Sequence, residues 1–217
     1  MRKIGVFDSG IGGKSVSLAI EKARPDDQIL FVNDTENVPY GTKTPEVLLQ
    51  LVTPILQDLA QRTDVVVIAC NTVSTTLIND IRNAIPGTPF IALEPMIKPA
   101  AEITSSGVIA VCATPTTLAS ERYAWLKETY ASNIKVLEPD CSDWSYMIEN
   151  NQLDHSKIRS RITEVCELEA DVIVLGCTHY HWIEDEIKSI AKQFSATVIQ
   201  PEQAIVAQLN RVLEQLD

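Results

Sequence analysis

The chain has 217 residues, 45% hydrophobic and 22% charged, a length for one large or two small domains and a composition that excludes wholesale disorder. Eighteen Lys and Arg against 29 Asp and Glu give a formal net charge of -11, which repels phosphate backbones and anionic surfaces, so neither nucleic acid nor a membrane is an expected partner. No apolar run approaches the roughly 18 residues of a spanning helix, Asp8 and the glycines after it interrupt any export signal, and a cytoplasmic protein is expected.

Strands and helices are predicted to alternate from the start. A strand over Lys3 to Phe7 precedes a helix over Lys14 to Ala23, and a strand over Gln28 to Val32 precedes a helix over Pro45 to Gln61. Strands over Val65 to Ala69 and Phe90 to Leu93 are followed by helices over Ser74 to Ala84 and Pro95 to Ser105. In the second half the strands are Gly107 to Cys112, Lys135 to Leu137, Val172 to Leu175 and Thr197 to Ile199. The helices between and after them are Thr117 to Tyr130, Ser156 to Ala170, Trp182 to Phe194 and Gln203 to Leu216. This alternation is the pattern of an α/β fold with parallel sheets. Runs apolar on both faces, such as Val65-Val66-Val67-Ile68, suit strands covered by helices on each side.

The halves read as two copies of one plan. In the first, strands end in Asp8-Ser9-Gly10 and Cys70-Asn71-Thr72; in the second, in Ala113-Thr114 and Cys177-Thr178-His179. Ligands of open parallel sheets bind at the carboxyl ends of strands. The expected division is an N-terminal α/β domain over 1-96 and a C-terminal one over 97-202, with the last helix, 203-217, packing back on the first.

Gly10-Ile11-Gly12-Gly13-Lys14-Ser15 ends like a nucleotide loop, but Asp8 stands where a Walker A loop needs its first glycine, and Ser15 where the dinucleotide fingerprint needs Gly or Ala. It reads better as a strand-to-helix turn whose N–H groups can hold a carboxylate. The five cysteines include no CxxC pair, which argues for free thiols over a disulfide framework or a four-cysteine zinc site. Cys112, Cys141 and Cys166 read as packing residues. Cys70 and Cys177 instead sit where a strand stops and a helix starts, where N–H groups and the helix dipole lower a thiol pKa from about 8.5 toward neutrality. A rival reading of Cys177-Thr178-His179-Tyr180-His181 is zinc: in an extended segment the i, i+2, i+4 side chains share one face, with Asp8 or Glu149 as fourth ligand.

At these residues the sequence resembles the glutamate racemases of the aspartate/glutamate racemase superfamily. The matching blocks run nearly end to end: Phe7-Asp8-Ser9-Gly10-Ile11-Gly12-Gly13, Val38-Pro39-Tyr40-Gly41-Thr42-Lys43, Ala69-Cys70-Asn71-Thr72, Glu94-Pro95, Thr114 to Thr117 with Ser120 and Tyr123, and Gly176-Cys177-Thr178-His179-Tyr180. The resemblance implies two pseudosymmetric α/β domains, each with a central mainly parallel sheet flanked by helices, and an active site in the interdomain cleft. It implies no cofactor and no metal, and a small-molecule substrate, glutamate, whose L and D forms are interconverted for peptidoglycan synthesis. Cys70 and Cys177 would be the catalytic thiols, Asp8 assisting the first and His179 the second, with Glu149 a further acidic group near the second. Ser9, Pro39, Tyr40, Gly41, Asn71, Thr72, Thr114, Thr117 and Thr178 match positions that hold the substrate. A homodimer is compatible with the resemblance, with its interface left open.

Inverting a chiral α-carbon requires a base on one face and an acid on the other, exchanging roles with direction, which explains the need for two thiols. The sequence departs from the family pattern at Lys14, at His181 and over Ser142 to Tyr146, placed beside the cleft. These changes leave open a racemase or isomerase of another small acid such as aspartate, and a catalytically inactive small-acid-binding or protein-binding relative. A Cys-His hydrolase is a third reading, without an accompanying acyl-transfer motif. The chain opens directly on its first strand, without the N-terminal extension of members regulated by cell-wall precursors, so that form of activation is not expected.

Overall fold

The computed structural model describes residues 1–216. Among these residues eight strands form two four-stranded sheets. The first contains β1 (Lys3–Asp8), β2 (Gln28–Asn33), β3 (Val65–Ile68) and β4 (Phe90–Ala92), in the order β2-β1-β3-β4. The second contains β5 (Val108–Cys112), β6 (Lys135–Leu137), β7 (Val172–Leu175) and β8 (Thr197–Ile199), in the order β6-β5-β7-β8. Every pairing is parallel, and the strand order of the first sheet is repeated in the second. In each sheet the chain leaves the first-formed strand to one side, then returns to its other side. The crevice where that direction reverses is the ligand position of such sheets. It lies between the ends of β1 and β3 in one half, and of β5 and β7 in the other.

Alternation of side chains along the strands builds two cores per sheet. Ile4 and Val6 of β1 and Val65 and Val67 of β3 meet Val16 and Ile20 of α1 (Lys14–Ala23). Phe7, Val66 and Ile68 point the other way, onto Leu48, Val52 and Leu56 of α2 (Pro45–Arg62) and Leu77 and Ile81 of α3 (Asn71–Ala84). In the second sheet Ile109, Val111 and Val174 pack on Ile97 and Ala100 of α4 (Ile97–Ile103). α5 (Pro115–Leu118) and α6 (Glu121–Tyr130) follow β5, and Tyr123 and Leu126 of α6 complete that core. α7 (Trp144–Glu149), α8 (His155–Glu167) and α9 (Glu184–Ala191) cover the opposite face, where Ala110, Ile173 and Leu175 meet Ile158, Ile162 and Ile187. The last helix, α10 (Glu202–Glu214), lies against α1 and joins the first sheet's core through Ile205, Leu209 and Leu213; the last residue of the expected 203-217 helix lies outside the described residues.

Several elements differ from the periodicity reading. The single helix expected over Thr117 to Tyr130 is two helices, because Ser120 caps a new one by accepting the Tyr123 N–H at 3.2 Å. α3 begins at Asn71, three residues before the first apolar turn, with Cys70 as its N-cap. The segment expected as one helix from Trp182 begins as a 3-10 turn over Thr178–Ile183 before α9. α7 was not expected at all: six residues are too few to show a helical period. Among the described residues no helix is long and apolar enough to cross a membrane.

Candidate active site

The chemistry-bearing side chains gather at the two reversal points. Asp8 ends β1 and is fully buried; its Oδ2 accepts the Gly13 N–H at 2.7 Å, and the Thr178 hydroxyl, from the other half, donates from 3.2 Å. Close approach requires glycine at position 13, where an added Cβ would stand 2.4 Å from the Asp8 Cβ. The next residue, Ser9, accepts the Cys70 thiol at 3.6 Å. Cys70 follows β3 and Cys177 follows β7, and both are buried. Cys177 Sγ lies 3.4 Å from Ser145 Oγ and 3.9 Å from His179 Nδ1. The other ring nitrogen of His179 faces Glu149 Oε2 at 2.7 Å, and that oxygen accepts the Ile11 N–H at 3.2 Å.

Both thiols line one narrow cavity of about 10 Å³ between the halves. Its wall includes Ser9, Pro39, Tyr40 and Gly41 on one side and Thr114, Thr178 and His179 on the other, with Asn71 and Thr72 beside Cys70. Three of the singled-out residues stand behind this wall. Asp8 backs Thr178, Glu149 backs His179, and Thr117 supports Thr114 through a 3.0 Å hydroxyl contact. Across the cleft Thr72 Oγ1 meets Thr114 Oγ1 at 3.0 Å. The Tyr40 hydroxyl donates to Asp34 Oδ2 at 2.6 Å, which fixes the ring against the cavity. Asn71 is distinctive: both polar atoms of its buried side chain lack a partner among the described residues, a costly state that a polar ligand would relieve.

Burial raises the Asp8 carboxyl above its ordinary value, against the pull of His179 and the Gly13 N–H. The Cys70 thiol, expected near neutrality at its helix start, is instead pushed up to about 12. Desolvation is the first cause and the Asp8 carboxylate the second; together they outweigh the Val73 N–H and the Ser9 hydroxyl. For His179 burial opposes the charged ring, but hydrogen bonds to Cys177 and Glu149 and the charge of Asp8 carry it up to about 10. Burial likewise works against the Glu149 carboxylate and is outweighed by His179 and the Ile11 N–H, which hold it below the usual carboxylate range.

The zinc arrangement does not form. The 3-10 winding after Cys177 sends His179 to Glu149, but turns His181 to Ser15 Oγ at 2.9 Å and Glu202 Oε1 at 3.3 Å. Among the described residues no three His, Cys, Asp or Glu side chains are grouped to hold a metal ion. The departures from the family pattern separate in the same way. Lys14 extends over the Phe31 ring, His181 faces Ser15, and only Ser145 of the segment 142-146 lines the cavity. Ser145 belongs to a segment the sequence places beside the cleft without giving that residue a role; its spacing of one helical turn from Glu149 is the available signal.

The sequence matches the Asp/Glu/Hydantoin racemase family over residues 14–209. It is 37% identical over 216 residues to a glutamate racemase of Pseudomonas syringae pv. tomato, covering 97% of this chain and 78% of that protein. The fold is similar to that of a Bacillus anthracis glutamate racemase, with a TM-score of 0.83 at 26% identity, covering 99% of this chain and 82% of that one. A glutamate racemase from Francisella tularensis, solved in complex with D-glutamate, matches with a TM-score of 0.83 at 26% identity, covering 99% of this chain and 81% of that one.

Proposed function

The chain belongs to the Asp/Glu/Hydantoin racemase family and is an isomerase of the racemase type, and from that premise we propose that it interconverts L- and D-glutamate without a cofactor, with Cys70 and Cys177 as the two acid/base groups. The observation that carries this reading is the placement of one buried thiol at the reversal point of each sheet, both lining a single cavity.

In one direction Cys177, beside the His179–Glu149 pair, takes the α-proton from one face of the substrate and Cys70 delivers a proton to the opposite face; in the other direction the roles exchange. The resting site suits Cys70 as donor, because burial and the Asp8 carboxylate keep it a thiol. For Cys70 to act as base, the ammonium group of the bound substrate supplies the compensating positive charge in the cavity. The carbanion has no electron-sink group in this scheme. It is stabilised by fixed donors at the α-carboxylate, a role for the Asn71 amide, which is buried without a partner among the described residues, and for the hydroxyls of Thr72 and Thr114. Enclosure between the halves excludes water and strengthens these contacts. The D-glutamate formed would supply peptidoglycan synthesis.

Circular dichroism of the purified protein with D-glutamate and with D-aspartate, no cofactor added, tests the reading. Racemisation of D-glutamate is expected, and Cys70→Ala and Cys177→Ala should each lower its rate by at least about a thousandfold, within the range of general acid–base catalysis. Racemisation of D-aspartate in preference would redirect the substrate, and wild-type rates in both variants would remove the mechanism.

A further inference from the structure

We propose that Ser145 is a positioning residue for Cys177, its hydroxyl holding that sulfur as Ser9 holds the sulfur of Cys70; the inference rests on the two-thiol reading above. Ser145 Oγ is 3.4 Å from Cys177 Sγ, and Ser9 Oγ is 3.6 Å from Cys70 Sγ. All four residues are buried and all four line the cavity. The two hydroxyls arrive by different routes. Ser9 stands two residues beyond Phe7, which pairs with Ile68 of β3; the matching place, two residues beyond Cys112, which pairs with Leu175 of β7, is Thr114, whose hydroxyl meets Thr117 and Thr72 rather than Cys177. The second half supplies the hydroxyl at Cys177 from α7 instead.

The surroundings fix that helix. Trp144 is fully buried and packs edge-on against Tyr180 with ring centroids 5.2 Å apart, and the Tyr180 hydroxyl donates to the Cys141 carbonyl at 2.8 Å. Ser145 is therefore held between a rigid turn and the sulfur. A hydroxyl is suited to a group that alternates between thiol and thiolate, because it both accepts from S–H and donates to S⁻ by rotating one bond. A hydrogen bond to a charged partner corresponds to roughly a ten- to hundredfold effect on an equilibrium or a rate.

Exchange of the substrate α-proton in D2O, followed by NMR for each enantiomer of glutamate, isolates the two thiols. In Cys70→Ala only Cys177 can act, and in Cys177→Ala only Cys70 can. Adding Ser145→Ala is expected to slow Cys177-dependent exchange about tenfold in kcat with a smaller change in KM, within the effect of one charge-assisted hydrogen bond. Thr and Val share a shape and differ in the hydroxyl, so Ser145→Thr should restore exchange and Ser145→Val should not. Exchange by Cys70 should be slowed far less by any of the three changes, and its persistence also reports a folded site. Equal exchange in the Thr and Val variants, or equal losses for both thiols, would overturn the role of Ser145. Absence of exchange of either enantiomer in Cys70→Ala with Ser145 intact would instead reject the two-thiol reading itself, and this inference with it.

Discussion

Glu149 Oε2 lies 2.7 Å from Nε2 of the buried His179 ring. The contact fixes which nitrogen faces Cys177, and the Ile11 N–H on the same oxygen ties it to the glycine-rich turn of the other half.

Glu149→Gln should therefore change both rate and pH response. His179 is raised to about 10 in the fold, so its stabilising contribution is complete below the unfolded imidazole value of about 6.5 and is lost as pH rises through about 10. The variant is expected to lose about 2–3 kcal/mol at pH 7, typical of a hydrogen bond to a charged group. It should also flatten the decline between pH 7 and 10. Urea unfolding at several pH values measures both. Racemisation should fall about ten- to a hundredfold; an unaltered stability profile would show that the pair does not hold the His179 proton.

Asp8→Asn is expected to trade activity for stability. Burial holds the Asp8 carboxyl above its ordinary value, so its ionisation works against folding once pH rises from the unfolded value of about 3.9 through the folded one. Asparagine keeps an acceptor for the Gly13 N–H without the buried charge. Thermal unfolding at pH 7 should shift upward by a few degrees, at about 2–4 °C per kcal/mol for a chain of this size, while kcat falls. A lower melting temperature would mean that the carboxylate's hydrogen bonds outweigh its desolvation.

Gly12→Ala should block the meeting of the two halves. A Cβ there would stand 2.5 Å from the backbone nitrogen of His179 and 2.7 Å from the Thr178 carbonyl carbon, and backbone cannot yield as a side-chain tip does. Displacing the cavity walls by about 1 Å costs on the order of a hundredfold in rate. Kinetics should show that loss with an unchanged far-ultraviolet dichroism spectrum; a fully active variant would show that the halves need not approach so closely.

Leu209→Ala probes the last helix. Leu209 is fully buried between α10 and the first sheet, and truncating such a leucine costs about 2–5 kcal/mol. The melting temperature should fall by about 5–15 °C. A shift below about 2 °C would mean that α10 contributes little to the first core.

Much of the architecture was legible because it is written locally. Val65 to Ile68 is apolar at every position, which suits a strand covered on both faces. The apolar spacing of Lys14 to Ala23 marks a helix with one buried side, and its bounds agree with those observed. Where the signal was short, it failed: α7 is too brief to show a period, and the turn after Cys177 mimics a strand in spacing although it winds as a 3-10 helix. The zinc arrangement depended on that extended spacing.

By itself the sequence determined the alternation of strands and helices, the repeat of one plan, and the presence of a cysteine after the third strand of each half, because apolar periodicity and small polar strand ends act within a few residues. It took the folded surroundings to bring Ser145 to Cys177, to turn His181 away to Ser15 and Glu202, and to push the Cys70 thiol up through burial and the Asp8 carboxylate. Those outcomes depend on solvent exclusion and on charges brought together from distant parts of the chain, and both are sums over the folded surroundings that no local pattern contains.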